Sequence, residues 1–168
     1  MTISMYQASV PLLRTLLGGL SGVLDKGAAF CAAKQVDPSV LINDRLAPDM
    51  FPLSRQVQIA ADMAKGGVAR LAGVEVPSWE DSETTFDELK ARLAKTLAFI
   101  DGFTPAQIDG SEEREIVLTL RSGEMRFTGQ RYLIGFVIPN VAFHCATAYN
   151  ILRHNGVDVG KRDFLGAF

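Results

Sequence analysis

The chain has 168 residues, 48% apolar and 21% charged, which suits one domain over residues 1–168 with a buried core. Seventeen basic residues stand against nineteen acidic ones. They are scattered, so no basic face is available to displace counterions from phosphates, and a nucleic-acid partner is excluded. The two cysteines, Cys31 and Cys145, lie far apart and outside any CxxC pattern. They read as small core residues in a reducing compartment. Met1-Thr2-Ile3-Ser4 has no basic region before an apolar run and does not read as a signal peptide, so a cytoplasmic protein is expected.

Taken in chain order, Tyr6, Val10, Leu13, Leu17, Leu20, Leu24 and Cys31 recur at helical spacing and predict a first helix over about 4–33. Gly18, Gly19, Gly22 and Gly27 lie inside it, and either admit a close neighbour or mark a break. Asp37-Pro38 and Ala47-Pro48-Asp49 then read as loop. Leu53, Val57, Ala60, Ala61, Ala64, Val68 and Leu71 predict a second helix over 53–71, with Gly73 just past its end.

The connection over 74–83 holds Pro77 and Trp79. Thr85-Phe86-Asp87-Glu88 is a capping-box pattern that opens a third helix with the stripe Phe86, Leu89, Leu93, Leu97 and Ile100. Thr104-Pro105-Ala106-Gln107 predicts a short helical turn. The period then changes to two. Ile116, Leu118 and Leu120 alternate with Val117, Thr119 and Arg121, and Ser122-Gly123 separates them from Glu124-Met125-Arg126-Phe127, as in a β-hairpin. Thr128 caps a fourth helix to about His154, ended by Asn155-Gly156. The tail reads as irregular, with Phe164 and Phe168 available to cover a groove or meet a second subunit. Four amphipathic helices and one hairpin predict an all-α four-helix bundle with the hairpin inserted before the last long helix. Its connections are long enough for a non-sequential arrangement.

Tyr132 to Leu152 is apolar enough to suggest a membrane span, but it contains Gly135, Pro139, Asn140 and His144. Polar groups are costly at mid-bilayer, and no second segment of comparable length stands out. A core helix is the preferred reading, with no membrane partner. On a wheel of about 100° per residue, Leu133, Phe136, Val137, Val141, Ala148, Ile151 and Leu152 form its stripe. Asn140 and His144 fall near the stripe's middle, with Thr147 beside them. Pro139 removes one helical hydrogen bond and predicts a kink there. Such a pair is either a structural bond inside the core or the polar floor of a small-molecule pocket. His154, in the last turn, favours the carbonyl end of the helix dipole. It lies roughly 15 Å from His144 along a helix, too far to share a metal.

Several runs also carry a resemblance: Met1-Thr2-Ile3-Ser4-Met5-Tyr6, Arg45-Leu46-Ala47-Pro48-Asp49-Met50-Phe51-Pro52-Leu53, Gln58-Ile59-Ala60-Ala61-Asp62, Leu152-Arg153-His154-Asn155-Gly156, and Gly160 through Gly166. Together they resemble a bacterial domain of unknown function within the DinB/YfiT-like superfamily of metalloenzyme-type bundles. The resemblance implies a four-helix bundle, a homodimer, and, in many members, a divalent metal held by three histidines, one on the second helix and two on the last. Some relatives use thiol cofactors. Here Asn140 and His144 stand where the last helix's two histidines are expected, and Gln58 is the nearest match to the third. One imidazole with two neutral amides suits zinc or nickel poorly. The expectation is therefore a metal-free bundle binding an unknown small molecule at Asn140, His144 and Gln58, with no cofactor. The alternatives are a divalent metal at His144 in a metal- or thiol-dependent hydrolase or transferase, and a dimeric interaction module.

Overall fold

The computed structural model describes residues 2–120 and 123–166. The expected Ser122 turn and Phe168 lie outside them. The elements are α1 (Met5–Lys34), α2 (Pro38–Ile42), α3 (Leu53–Ala72), α4 (Phe86–Asp101), α5 (Pro105–Ile108), β1 (Glu115–Leu120), β2 (Gly123–Thr128), α6 (Gly129–Tyr132), a π-turn (Leu133–Val137), α7 (Ile138–His154) and α8 (Lys161–Leu165). The architecture is a helical bundle with one antiparallel hairpin, registered from Glu115 opposite Thr128 to Leu120 opposite Gly123.

The predicted stripes form the core. Leu13, Leu17 and Leu24 on α1, Val57, Ala60, Ala64 and Val68 on α3, and Leu89, Leu93 and Ile100 on α4 are all fully buried. Packing is non-sequential. The helices α4 and α7 each lie against both α1 and α3, which face one another across the core. Local chemistry sets the ends. Ser4 caps α1 and Thr85 caps α4, each in a reciprocal capping box, and Gly73 closes α3 at φ 71, a left-handed position where a Cβ is strained.

Three expectations need correction. The segment 35–52 is not loop alone, because Asp37 accepts from the Ser39 amide at 2.8 Å and Pro38 takes the first position of α2, where its missing N–H costs nothing. Nor is the tail irregular, because α8 docks on α1. A Cβ at Gly19 would run into the Phe164 carbonyl, so this glycine admits the helix closely, while α1 itself is unbroken. Finally, α1 matches the last helix in length and apolarity. Both Met5–Lys34 and Gly129–His154 could cross a membrane on those grounds alone, yet each supplies buried residues to the common core.

The predicted kink before Pro139 takes the form of the π-turn. Ile138 donates to the Leu133 carbonyl, five residues back. One extra residue shifts the helix phase by about 100°. A wheel of constant step therefore mixes two phases, and Leu133 and Phe136 drag the apparent stripe toward His144. The line buried most deeply on α7 is Val141, Cys145, Ala148 and Leu152. Tyr132, which the wheel leaves outside the stripe, is 1% exposed.

Candidate functional site

Relative to that line, Asn140 and His144 lie to one side. Both are half-buried, at the lip of the seam between α3 and α7. They are not bonded to each other. The Asn140 side-chain amide donates back to the Phe136 carbonyl at 2.6 Å, within the stretch loosened by the π-turn. His144 turns across the seam, and its Nδ1 lies 2.7 Å from Oε1 of Gln56 on α3. Gln58 faces elsewhere. It accepts from Arg55 at 3.2 Å and donates to Glu83 at 3.0 Å, on the α4 side of α3. The structure thus brings His144 to Gln56 and leaves Gln58 apart from both α7 residues.

Sequence reasoning missed Gln56, although its signal was present. It lies three residues after Leu53 and four before Ala60, on the apolar face of α3, and it is 1% exposed. A buried amide needs partners on both ends. Its Nε2 donates to the Phe51 carbonyl at 2.9 Å, which fixes the amide's orientation, since a carbonyl can only accept. Oε1 therefore faces His144 and must receive a proton from Nδ1. The neutral imidazole is held in the Nδ1–H tautomer, with the lone pair on Nε2. Burial, and secondarily the positive charge of Arg55, hold the His144 pKa below its ordinary 6.5. The rings of Phe143 and His144 meet edge-on at 5.2 Å, and Phe143 and Phe51 are exposed beside the pair.

These donors do not fit a three-histidine metal site. Nε2 of His144 is the one imidazole nitrogen without a partner here among the described residues, and both ends of the Gln56 amide are committed to protein partners. Asn140 has only a neutral amide oxygen to offer, a poor ligand for zinc or nickel, and Arg55 adds a repelling charge. Among the described residues no three His, Cys, Asp or Glu side chains cluster to hold a metal ion. Burial raises the Cys145 thiol to about 12, so it offers no thiolate near neutrality. His154 is exposed at the end of α7.

The other flank of α3 is packed with charge. Arg92 on α4, 4% exposed, meets Glu83 and Asp81 at 2.8 Å and Asp62 at 3.1 Å. Burial pushes the Arg92 guanidinium's pKa down, but the carboxylates outweigh it and the net shift is upward. Lys65 pairs with Asp62 at 2.7 Å and lies over the Trp79 ring, which Lys95 also approaches. Trp79 and Gln58 are thereby absorbed into a structural network.

The helical bundle that carries this site is that of the DinB-like proteins. Within that class, residues 5–165 match the domain of unknown function DUF1993, and the chain belongs to this family. Among solved structures it is similar to a DinB family member from Shewanella denitrificans, with 45% identity, a TM-score of 0.89, and coverage of 97% of this chain and 92% of that one. No curated protein matches the sequence.

Proposed function

We propose that the protein binds a small molecule, without a stable metal, at the α3–α7 lip, where Nε2 of His144 accepts a hydrogen bond from the ligand. The observation that carries this reading is the Phe51–Gln56–His144 chain of bonds. It holds a half-buried imidazole in one tautomer, with its lone pair uncommitted among the described residues. Such preorganisation lowers the cost of ordering the site on binding. The exposed Phe51 and Phe143 offer apolar surface to a ligand near His144, and Asn140 lies one turn before it on α7.

The test combines two measurements on untagged protein. Elemental analysis is expected to find no stoichiometric transition metal, and one metal per chain sinks the reading. A ligand-observed NMR screen of phenols, azoles and alcohols is expected to give hits that His144→Phe loses. Hits that survive this change place the ligand elsewhere.

A second reading follows from the same tautomer. A neutral imidazole oriented by a fixed acceptor is also suited to act as a general base. On this reading the protein is a hydrolase or transferase, and His144→Gln abolishes turnover while the fold is retained. Turnover unchanged in that variant removes the enzyme reading.

A further inference from the structure

A cavity lies at the other end of the α3–α7 seam from His144, under the hairpin. Its volume is about 390 Å³, and its walls come from Met63 and Arg70 on α3, Val117 to Thr119 on β1, and Tyr132 and Phe136. That volume is within the usual range for small-molecule sites.

Its polar end is built rather than incidental. Arg70 is half-buried and its Nη1 donates to the Tyr132 hydroxyl at 3.0 Å. Among the described residues no carboxylate pairs with Arg70; the same holds for Arg45, Arg114, Arg131, Arg153 and Arg162, but those are exposed, whereas Arg14, Arg55, Arg92 and Arg126 each have at least one. A guanidinium carries five donors, and Tyr132 occupies one. The Tyr132 hydroxyl accepts that bond and, among the described residues, donates to no protein group, so its proton is free for an acceptor in the cavity. Burial, partly opposed by Arg70, raises its pKa and keeps that proton in place. Gly66 makes the arrangement possible, because a Cβ there would lie 2.5 Å from Arg70 Nη1. The π-turn does so as well, since its phase shift is what carries Tyr132 inward. The edge of β1 facing away from β2 pairs with no strand among the described residues and so leaves further backbone groups open. The remaining walls, Met63, Leu118 and Phe136, are apolar.

We infer that this cavity binds a small monocarboxylate with an apolar body. The carboxylate takes the guanidinium fork of Arg70 and the Tyr132 hydroxyl, and the aryl or alkyl portion lies against Met63, Leu118 and Phe136. A planar fork matches a carboxylate in two parallel bonds, and a neutral amide of the same shape cannot accept both. The inference does not rest on the His144 reading, and the two sites are separately testable.

The experiment uses the full chain with 13C-methyl methionine, titrated with benzoate and hexanoate and, as neutral counterparts, benzamide and hexanamide. The Met63 methyl signal, assigned with Met63→Leu, is expected to shift saturably with the acids and far less with the amides. Arg70→Gln is expected to weaken the acids by about tenfold or more, and Tyr132→Phe by less. His144→Gln is expected to leave them unchanged, even where it abolishes binding at the lip. An unmoved Met63 signal, amides binding as tightly as acids, Arg70→Gln binding like the native chain, or loss of binding in His144→Gln each overturns the inference. If Arg70→Gln does not fold, the contrast between acid and amide in the native chain decides alone.

Discussion

The two flanks of α3 treat polar groups in opposite ways. Toward α4, each buried charge has a counter-charge: Arg92 three carboxylates, although its Nε and Nη2 lack a hydrogen-bond acceptor among the described residues, and Asp62 both Lys65 and Arg92. Toward α7 and the hairpin, polar groups are half-met. His144 uses one nitrogen, and Arg70 uses one donor among the described residues. The first flank spends its polar groups on holding the 74–85 connection against the bundle. The second holds its groups in fixed directions with capacity left over. A buried ion pair is weak evidence of net stabilisation, but removing one member strands the others. The flanks should therefore respond differently to substitution.

The largest effect is expected at Arg92. Arg92→Met leaves Glu83 without a cation and takes one of two from Asp81 and from Asp62, which keep Arg55 and Lys65, at a cost of about 3 kcal/mol. For a domain of this size that lowers Tm by roughly 6–12 °C. A melting curve within a degree or two of the native one would show that the network is not structural, and the contrast between flanks would fail. Next is Gly67→Ala. The new Cβ would lie 2.6 Å from Val137 Cγ1, and a β-branched neighbour in a packed π-turn yields little. Overpacking of this kind costs about 2 kcal/mol, measurable by urea denaturation. Gly18→Ala meets nothing within 4 Å and removes a helix-interior glycine, so it should stabilise by about 0.5–1 kcal/mol.

The smallest effect is the most specific to the α7 flank. Because the folded pKa of His144 lies below 6.5, the folded state binds fewer protons than the unfolded chain as pH falls through that value. The stability held by the neutral imidazole is complete above 6.5 and declines as pH falls toward the folded pKa. Urea midpoints measured between about pH 7.5 and 5.5 should show this decline, and His144→Gln should flatten it. An unchanged slope in the variant would mean that His144 titrates as an exposed residue.

Much of the bundle is written in side-chain periodicity, which depends only on local geometry. The helices α1, α3 and α4 follow their stripes, and the Thr85 and Ser4 caps act through neighbours three residues away. Where the pattern misleads, a longer-range or non-standard feature has intervened. The π-turn is invisible to a wheel of fixed step, so Tyr132 appears exposed and His144 appears central. Gln58 matches the expected position in sequence, but two residues after Gln56 it lies about 200° round α3, on the other flank, where Arg55 and Glu83 bond it. Gln56 carries the bond to His144 because it lies on the buried face, and no motif announces it. The helix α2 was legible in Asp37-Pro38-Ser39, whereas α8 depends on a bare patch of α1 at Gly19 that only the folded chain reveals.

The π-turn also separates the two open ends of the seam. The last helix holds one residue more than its rise requires, like a screw thread with an added fraction of a turn. Deleting one residue from Leu133–Val137 would turn Gly129–Tyr132 and the hairpin against α7 by about a quarter revolution. Tyr132 would swing away from Arg70 while His144 kept its bond to Gln56. A single codon's worth of length thus sets the carboxylate cavity independently of the histidine lip, and such a change would abolish one site while sparing the other.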